Sequence, residues 1–161
     1  MKLADGCIPV GSGERMDRME GSDSIKVEYH VDGDNFARAG EASADVKRML
    51  RTIGIPADLI RKVAIAMYEG EINMVIHAYG GMAYVEVTPE AVKIELIDRG
   101  PGIPDIDMAM KEGFSTAKDE IRALGFGAGM GLPNMKRYAD DIEVTSEVGV
   151  GTTVRLVFSL K

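Results

Sequence analysis

Two polar side chains interrupt an apolar stretch near the middle of the chain. Glu69 and Asn73 lie four residues apart, so in a helix they share one face. A carboxylate and an amide on a buried face cost free energy unless a partner satisfies them. A Mg²⁺ ion, a water molecule or a phosphate would do so, and so would a polar contact between helices; the two residues alone leave these alternatives open. Glu71 is predicted to point away from both, toward solvent or a partner protein.

A second candidate follows an alternating apolar segment that ends at Asp98. The chain turns there through Asp98-Arg99-Gly100-Pro101-Gly102. Glycine lets the backbone approach a ligand closely, and the carboxylate can accept a hydrogen bond from an exocyclic amine. A plain turn at the end of a strand is the alternative interpretation.

Glycine occupies every second position from Gly125 to Gly131, directly before a predicted helix. Backbone N–H groups at a helix start, together with the positive end of the helix dipole, form an anion site. The segment is not a P-loop, because the chain contains no Gly-Lys dipeptide, and it does not fit the Gly-x-Gly-x-x-Gly dinucleotide fingerprint. A flexible loop is the alternative.

The hydrophobic pattern predicts the helices that position these segments. Residues 57–79 carry apolar side chains nearly all round, which is typical of a largely buried helix. Residues 35–53 are predicted to form an amphipathic helix with Asp34 as its N-cap. Two shorter helices are predicted, one near 106–111 and one from 131 to about 139.

The remaining pattern predicts a sheet and the limits of the domain. Strands are predicted at 25–31, 82–88, 92–98, 142–146 and 152–160. The order of elements predicts an α+β fold, a two-layer sandwich of a mostly antiparallel, mixed β-sheet with helices on one face. Residues 1–24 show no period and are predicted to be a flexible tail, which leaves 25–161 as one domain.

Composition excludes several classes of function. The chain has 161 residues with 19 Lys+Arg against 26 Asp+Glu, a net charge of −7. An acidic surface disfavours nucleic acid and anionic membranes as partners. The longest apolar run, residues 63–68, is far too short to span a membrane. Cys7 is the only cysteine, which fits a reducing cytoplasm, where we expect the protein to be.

Taken together, the motifs resemble those of the GHKL superfamily of ATP-binding domains, which have the Bergerat fold. Four motifs in the same order carry the resemblance, over about residues 25–161. They are the N-box Glu69-x-x-x-Asn73, the first glycine box Asp98-x-Gly100-x-Gly102, the second glycine box Gly127-x-Gly129-x-Gly131-Leu132, and the terminal element Gly151-Thr152-Thr153.

Within that superfamily the chain is most similar to small bacterial serine kinases that act as anti-sigma factors or as stress-module switch kinases. The N-box continues into His77-Ala78-Tyr79, as in the anti-sigma kinases, whereas Arg99-Gly100-Pro101-Gly102 is closer to the switch kinases. The segment between the glycine boxes, 103–124, is short. Gly70 stands where these kinases usually have alanine, and a close backbone contact is the predicted reason.

The resemblance implies catalytic roles for the N-box. Glu69 would be the general base that takes the proton of a substrate serine, and Asn73 would hold Mg²⁺ through its side-chain oxygen. The reaction would be transfer of the γ-phosphoryl group of ATP.

The resemblance also implies nucleotide contacts. Asp98 would accept from the adenine amine, Gly102 would lie near the ring, and Thr152 would bond near the base. The glycines of the second box would surround the phosphates. The full set of further contacts implied is Gly100, Gly125, Gly127, Gly129, Met130, Gly131 and Leu132.

Three functions remain open. The first is a protein serine kinase that phosphorylates an anti-anti-sigma-like partner, controls transcription by partner switching and also sequesters a sigma factor. The second is the catalytic domain of a sensor histidine kinase, although His30 and His77 are the only histidines and neither lies in an upstream helical dimerisation hairpin, so the phosphoacceptor would be on another chain. The third is an ATP/ADP-gated binding module without catalysis. Homodimers occur among the kinases that the chain resembles, but no residue pattern here requires one.

Overall fold

The computed structural model describes residues 15–18, 24–111 and 131–160. Four of the predicted nucleotide contacts, Gly125, Gly127, Gly129 and Met130, lie outside the described residues.

Six strands form one sheet, and every neighbouring pair of them is antiparallel. The predicted α+β sandwich with a mostly antiparallel sheet is confirmed, whereas the described sheet contains no parallel pair and is therefore not mixed. The spatial order is β1-β2-β3-β4-β6-β5. The strands are β1 (Arg15–Arg18), β2 (Ile25–Asp32), β3 (Gly80–Val87), β4 (Ala91–Asp98), β5 (Asp141–Glu147) and β6 (Gly151–Ser159).

The edge strand β1 falls inside the segment predicted to be a flexible tail. Its four residues pair with Ile25–Glu28 of β2. Nothing in the sequence pattern indicated this strand, because four residues with charges at both ends show no apolar alternation.

The helices cover one face of the sheet. They are α1 (Glu41–Thr52), α2 (Ala57–Ala78), α3 (Ile106–Ala109) and α4 (Gly131–Tyr138), with a 3₁₀ turn at Phe36–Arg38. The long helix α2 packs between α1 and α4 and lies on β2, β3, β4 and β6. Among the described residues, no helix is both long and apolar enough to cross a membrane.

The core lies between α2 and the sheet. Alternate residues of β2, Val27, Tyr29 and Val31, are buried against it, as the period of a strand requires. From α2, Val63 and Met67 are fully buried. The opposite face of the sheet is polar: Arg155 on β6 bridges Glu95 on β4 and Glu143 on β5, each at 2.6 Å.

The first helix begins six residues later than predicted. Asn35, not Asp34, caps the 3₁₀ turn through its side chain, and α1 starts only at Glu41. The break lies at Gly40, whose φ of +98° is in the left-handed region that favours glycine.

The prediction that Glu71 faces solvent or a partner is wrong. Its carboxylate lies at the start of α1 and is only 2 % exposed. It accepts hydrogen bonds from the backbone N–H groups of Gly40 (3.0 Å), Ala42 (3.3 Å) and Ser43 (2.7 Å). These are donors that a helix start leaves without internal partners. A side chain from α2 therefore caps α1, which a local sequence rule for capping cannot find.

Candidate functional site

The N-box residues face the start of α4. Glu69 and Asn73 lie on the same side of α2 and both are half-buried. A Cβ added to Gly131, the first residue of α4, would come within 2.7 Å of Nδ2 and 2.8 Å of Oδ1 of Asn73. Only glycine leaves room for the Asn73 amide at this position. The structure thus brings the N-box and the end of the second glycine box into direct contact.

The surroundings of Glu69 differ from those of an ordinary surface carboxylate. Burial raises its pKa above the usual value, and a hydrogen bond from the Asn134 side chain partly opposes that rise. Asn134 lies one turn into α4 and was not among the predicted site residues. Its only sequence signal was its position three residues after Gly131, on a helix whose partner could not be known from the sequence.

Gly70 allows α2 to lie close to the sheet. An added Cβ at this position would collide with Cδ1 of Leu96 on β4 and would lie 3.6 Å from the sulfur of Met135 on α4. The predicted close contact is present, although the near neighbour is a side chain and not backbone. The glycine lets the helix that carries Glu69 and Asn73 touch β4 and α4 at once.

Asp98 joins two motifs that are 54 residues apart. Its Oδ1 accepts from the backbone N–H of Gly100 (2.9 Å) and from that of Thr152 (3.1 Å). Because both bonds end on Oδ1, the carboxylate is oriented while Oδ2 can accept from a ligand. An added Cβ at Gly100 would lie 2.6 Å from Cα of Ala78, so this turn packs directly on the end of α2.

The turn after Asp98 is held against the hairpin between β5 and β6. Gly102 has a φ of +82°, and an added Cβ there would lie 2.5 Å from the Glu147 carbonyl oxygen. The backbone N–H of Gly149 donates to the Pro101 carbonyl at 2.8 Å. The first glycine box and the Gly-Thr element therefore form one corner of the molecule.

Ser146 sits at the centre of this corner and was missed by the sequence analysis. Its hydroxyl oxygen lies 2.7 Å from the Ile103 nitrogen, 2.8 Å from Oγ1 of Thr152 and 3.1 Å from the Gly151 carbonyl oxygen. A serine in a strand carries no distinguishing signal by itself. Only the pairing of β5 with β6 shows that it lies opposite Thr152.

Two further residues near the site, His77 and Leu132, lie in buried surroundings that are typical of a structural role. Burial lowers the pKa of His77, and the nearby charge of Asp98 raises it only in part, so the neutral imidazole is favoured. The Leu132 side chain packs in the core.

The described residues fit a Mg²⁺ ion only as part of a nucleotide complex. Among them, no group of three or more His, Cys, Asp or Glu side chains is placed to hold a metal ion. Mg²⁺ commonly binds through one or two protein oxygens together with substrate phosphates and waters. The Asn73 amide, beside the helix start at Gly131, offers one such oxygen.

Residues 34–158 match the model of the histidine kinase-like ATPase domain. The chain belongs to that family. Over 102 residues it is 36 % identical to the anti-sigma F factor of Caldanaerobacter subterraneus subsp. tengcongensis, covering 60 % of this chain and 68 % of the relative. It is 34 % identical over 137 residues to the anti-sigma F factor of Clostridium beijerinckii, covering 81 % and 89 %.

Two more comparisons concern a further relative in sequence and a likeness in fold. The chain is 33 % identical over 100 residues to the serine/threonine-protein kinase RsbT of Bacillus subtilis, covering 60 % of this chain and 69 % of RsbT. The RsbU and RsbW domains of a Mycobacterium tuberculosis protein share the fold, with a TM-score of 0.54 at 18 % identity over 83 % of this chain. This chain corresponds to 32 % of that longer chain.

Proposed function

We propose that this protein is an ATP-dependent kinase that phosphorylates a serine of an anti-anti-sigma-like partner. One observation carries the proposal. A half-buried carboxylate with a raised pKa, Glu69, lies on the same helix face as the Asn73 amide, and that amide touches Gly131 at the start of α4. The names of the relatives, anti-sigma F factor and serine/threonine-protein kinase, agree with it.

Glu69 serves as the general base in this mechanism. It takes the proton of the serine hydroxyl as the serine oxygen bonds to the γ-phosphorus and ADP leaves. A carboxylate is a weak base at its ordinary pKa, and burial brings the pKa of Glu69 closer to the working pH. The Asn134 side chain fixes the direction of the carboxylate.

Other residues bind and orient the nucleotide. Asp98 accepts from the adenine amine through Oδ2, because Oδ1 is occupied by two backbone N–H groups. The N-terminal end of α4 presents backbone N–H groups to the phosphates. Mg²⁺ supplies neutralisation of phosphate charge when it is bound with the nucleotide, and Asn73 is the residue that would hold it.

In the cell the same domain would act in partner switching. The anti-anti-sigma-like protein would be the substrate and a sigma factor the alternative partner, so phosphorylation would decide which of them is bound. The acidic net charge of −7 makes direct contact with DNA unfavourable. Control of transcription would therefore run through protein partners.

The decisive experiment uses γ-labelled ATP, Mg²⁺ and candidate anti-anti-sigma domains from the same genome. We expect acid-stable label on a partner serine with the wild type, and label that forms about 10²–10⁴-fold more slowly with Glu69→Gln. Glu90→Gln is the matched control, because Glu90 is exposed in the β3–β4 turn, at the opposite end of β4 from Asp98. Acid-labile label on a histidine would instead support a histidine kinase. Nucleotide-dependent partner binding without transfer would support a gated binding module.

A further inference from the structure

Helix α4 runs antiparallel to α2. Its first residue, Gly131, lies beside Asn73, since an added Cβ there would come within 2.7 Å of the Asn73 amide. About one turn later, Asn134 hydrogen-bonds to Glu69, which precedes Asn73 by about one turn of α2. The last turn of α4 therefore continues beside the part of α2 that precedes Glu69.

Two exposed cations lie on the side of Glu69 that faces the start of α2. Lys62 precedes Glu69 by seven residues, so the two share one face of the helix and lie about 10 Å apart along its axis. The half-buried Ile65 lies between them. On α4, Arg137 follows Asn134 by three residues, so it lies on the same side of that helix. Both cations are exposed, and a basic surface thus extends from Glu69 toward the start of α2.

The sign of the charge on this surface is opposite to that of the chain as a whole. The chain carries 26 Asp+Glu against 19 Lys+Arg. From residue 59 to residue 78 of α2, however, the only acidic residues are Glu69 and the buried Glu71, and α4 contains none. Within the part of the chain that the structure describes, no carboxylate forms an ion pair with Lys62. Its charge is therefore available to a partner.

Neither helix stability nor the pKa of Glu69 accounts for the position of Lys62. A cation in the last turn of a helix stabilises the helix dipole, which is a second role for Arg137. Lys62 lies in the second turn of a 22-residue helix, where the dipole gives no such benefit. Burial and the Asn134 side chain shift the pKa of Glu69, and Lys62 is not among the causes. The position of Lys62 on the face that carries Glu69 favours a role in binding.

We propose that Lys62 and Arg137 recognise acidic residues of the protein substrate. The inference deepens the proposed function and rests on it. The nucleotide would occupy the side of Glu69 that carries Asn73 and Gly131, so a protein that brings its serine to Glu69 would lie over the opposite, basic side. Substrate carboxylates about 10 Å from the acceptor serine would then meet the two cations. Acidic residues at that distance from a serine distinguish the substrate of this kinase from other proteins.

The test measures steady-state transfer from γ-labelled ATP to the anti-anti-sigma-like domain that the wild type labels. We expect Lys62→Glu to raise the KM for that domain roughly threefold to tenfold, because charge reversal removes one exposed attraction and adds one repulsion. The values of kcat and of the KM for ATP should not change, because Lys62 lies away from the base and the nucleotide. Adding Arg137→Glu should raise the KM for the domain further.

The matched control is Lys93→Glu. Lys93 is an exposed lysine of β4 on the polar face of the sheet, opposite to the helices, and its reversal changes the net charge by the same amount. This variant should keep the wild-type KM. If Lys62→Glu does not fold, as judged by thermal melting, Lys62→Met replaces it, removes the charge without reversing it, and should raise the KM by a smaller factor.

A charge swap tests the contact directly. In the substrate domain, an acidic residue about 10 Å from the labelled serine is replaced by lysine. This change should raise the KM with the wild-type kinase and should recover part of the loss with Lys62→Glu, because opposite charges then face each other again.

The outcomes separate this inference from the proposed function. If the wild type labels a partner serine and Lys62→Glu has the same KM, the role of Lys62 is wrong while the kinase activity stands. An equal rise in KM for Lys62→Glu and Lys93→Glu would also overturn it, since only the net charge would then matter. If the wild type labels no partner, the proposed function fails, and the inference fails with it.

Discussion

Two carboxylates two residues apart on α2 have opposite surroundings. Glu69 faces α4, is half-buried and has the Asn134 side chain as a hydrogen-bond partner. Glu71 faces the start of α1, is 2 % exposed and accepts from three backbone N–H groups. Burial raises the pKa of both side chains. Burial alone therefore does not distinguish the proposed base from a structural carboxylate. Glu71 accepts from three backbone N–H groups, whereas Glu69 retains capacity to accept a substrate proton.

The largest effect should be that of a Glu69 substitution on the rate of phosphoryl transfer. We expect Glu69→Gln to lower the rate of phosphoryl transfer about 10²–10⁴-fold, because a positioned general base contributes that much. Stability should change little, since glutamine has nearly the same shape. Single-turnover transfer and urea unfolding measure the two quantities. A variant with the wild-type rate would show that Glu69 is not the base.

Substitution of Glu71 should lower the free energy of unfolding. Glu71→Ala leaves three backbone donors at the start of α1 without their acceptor, and we expect a loss of about 2–4 kcal/mol in the free energy of unfolding. Urea unfolding measures it, with Glu90→Ala as a control that should stay within about 0.5 kcal/mol of the wild type. An equally small loss for Glu71→Ala would mean that the cap does not hold α1.

Gly70 lies between the two carboxylates and allows the packing of their helix to be tested. Alanine should favour the helix by about 1 kcal/mol, but its Cβ would collide with Leu96. We expect a net destabilisation of about 1–2 kcal/mol from overpacking. Leu96→Val combined with Gly70→Ala should recover part of the loss, since the shorter side chain makes room. A Gly70→Ala variant more stable than the wild type would contradict the contact.

The smallest effect concerns the pH dependence of the phosphoryl-transfer rate, which the pKa of Glu69 should set. Because the base must be ionised and its pKa is raised above 4.5, the rate should fall with acid at a pH above that ordinary value. Asn134→Leu removes the hydrogen bond that lowers this pKa, so the acid limb of the pH–rate profile should move to higher pH. Asn134→Asp is unsuitable as a control because it adds a charge, whereas Lys136→Arg on the exposed face of α4 keeps the charge and is suitable. No movement, or movement to lower pH, would contradict the assigned contact.

Much of the molecule was predictable from the sequence because the relevant signals are local. The apolar period identified α2 and the strands β2 to β6 within one or two residues of their ends, and glycine identified the turns. Glu69 and Asn73 were singled out as candidate site residues because polar groups in an apolar helix stand out. Asp98 was singled out as a candidate because it ends a strand directly before two glycines of one turn.

The residues alone are enough to predict the order of elements, the helix that carries Glu69 and Asn73, and the four motifs of the family. Packing in three dimensions is needed to show that Glu71 caps another helix, that Asn134 contacts Glu69, and that the Ser146 hydroxyl contacts that of Thr152. The physical reason is one of distance along the chain. A hydrogen bond depends on a few ångströms in space, and these partners are brought together only when α1, α4 and the β5–β6 hairpin pack against one sheet and one helix.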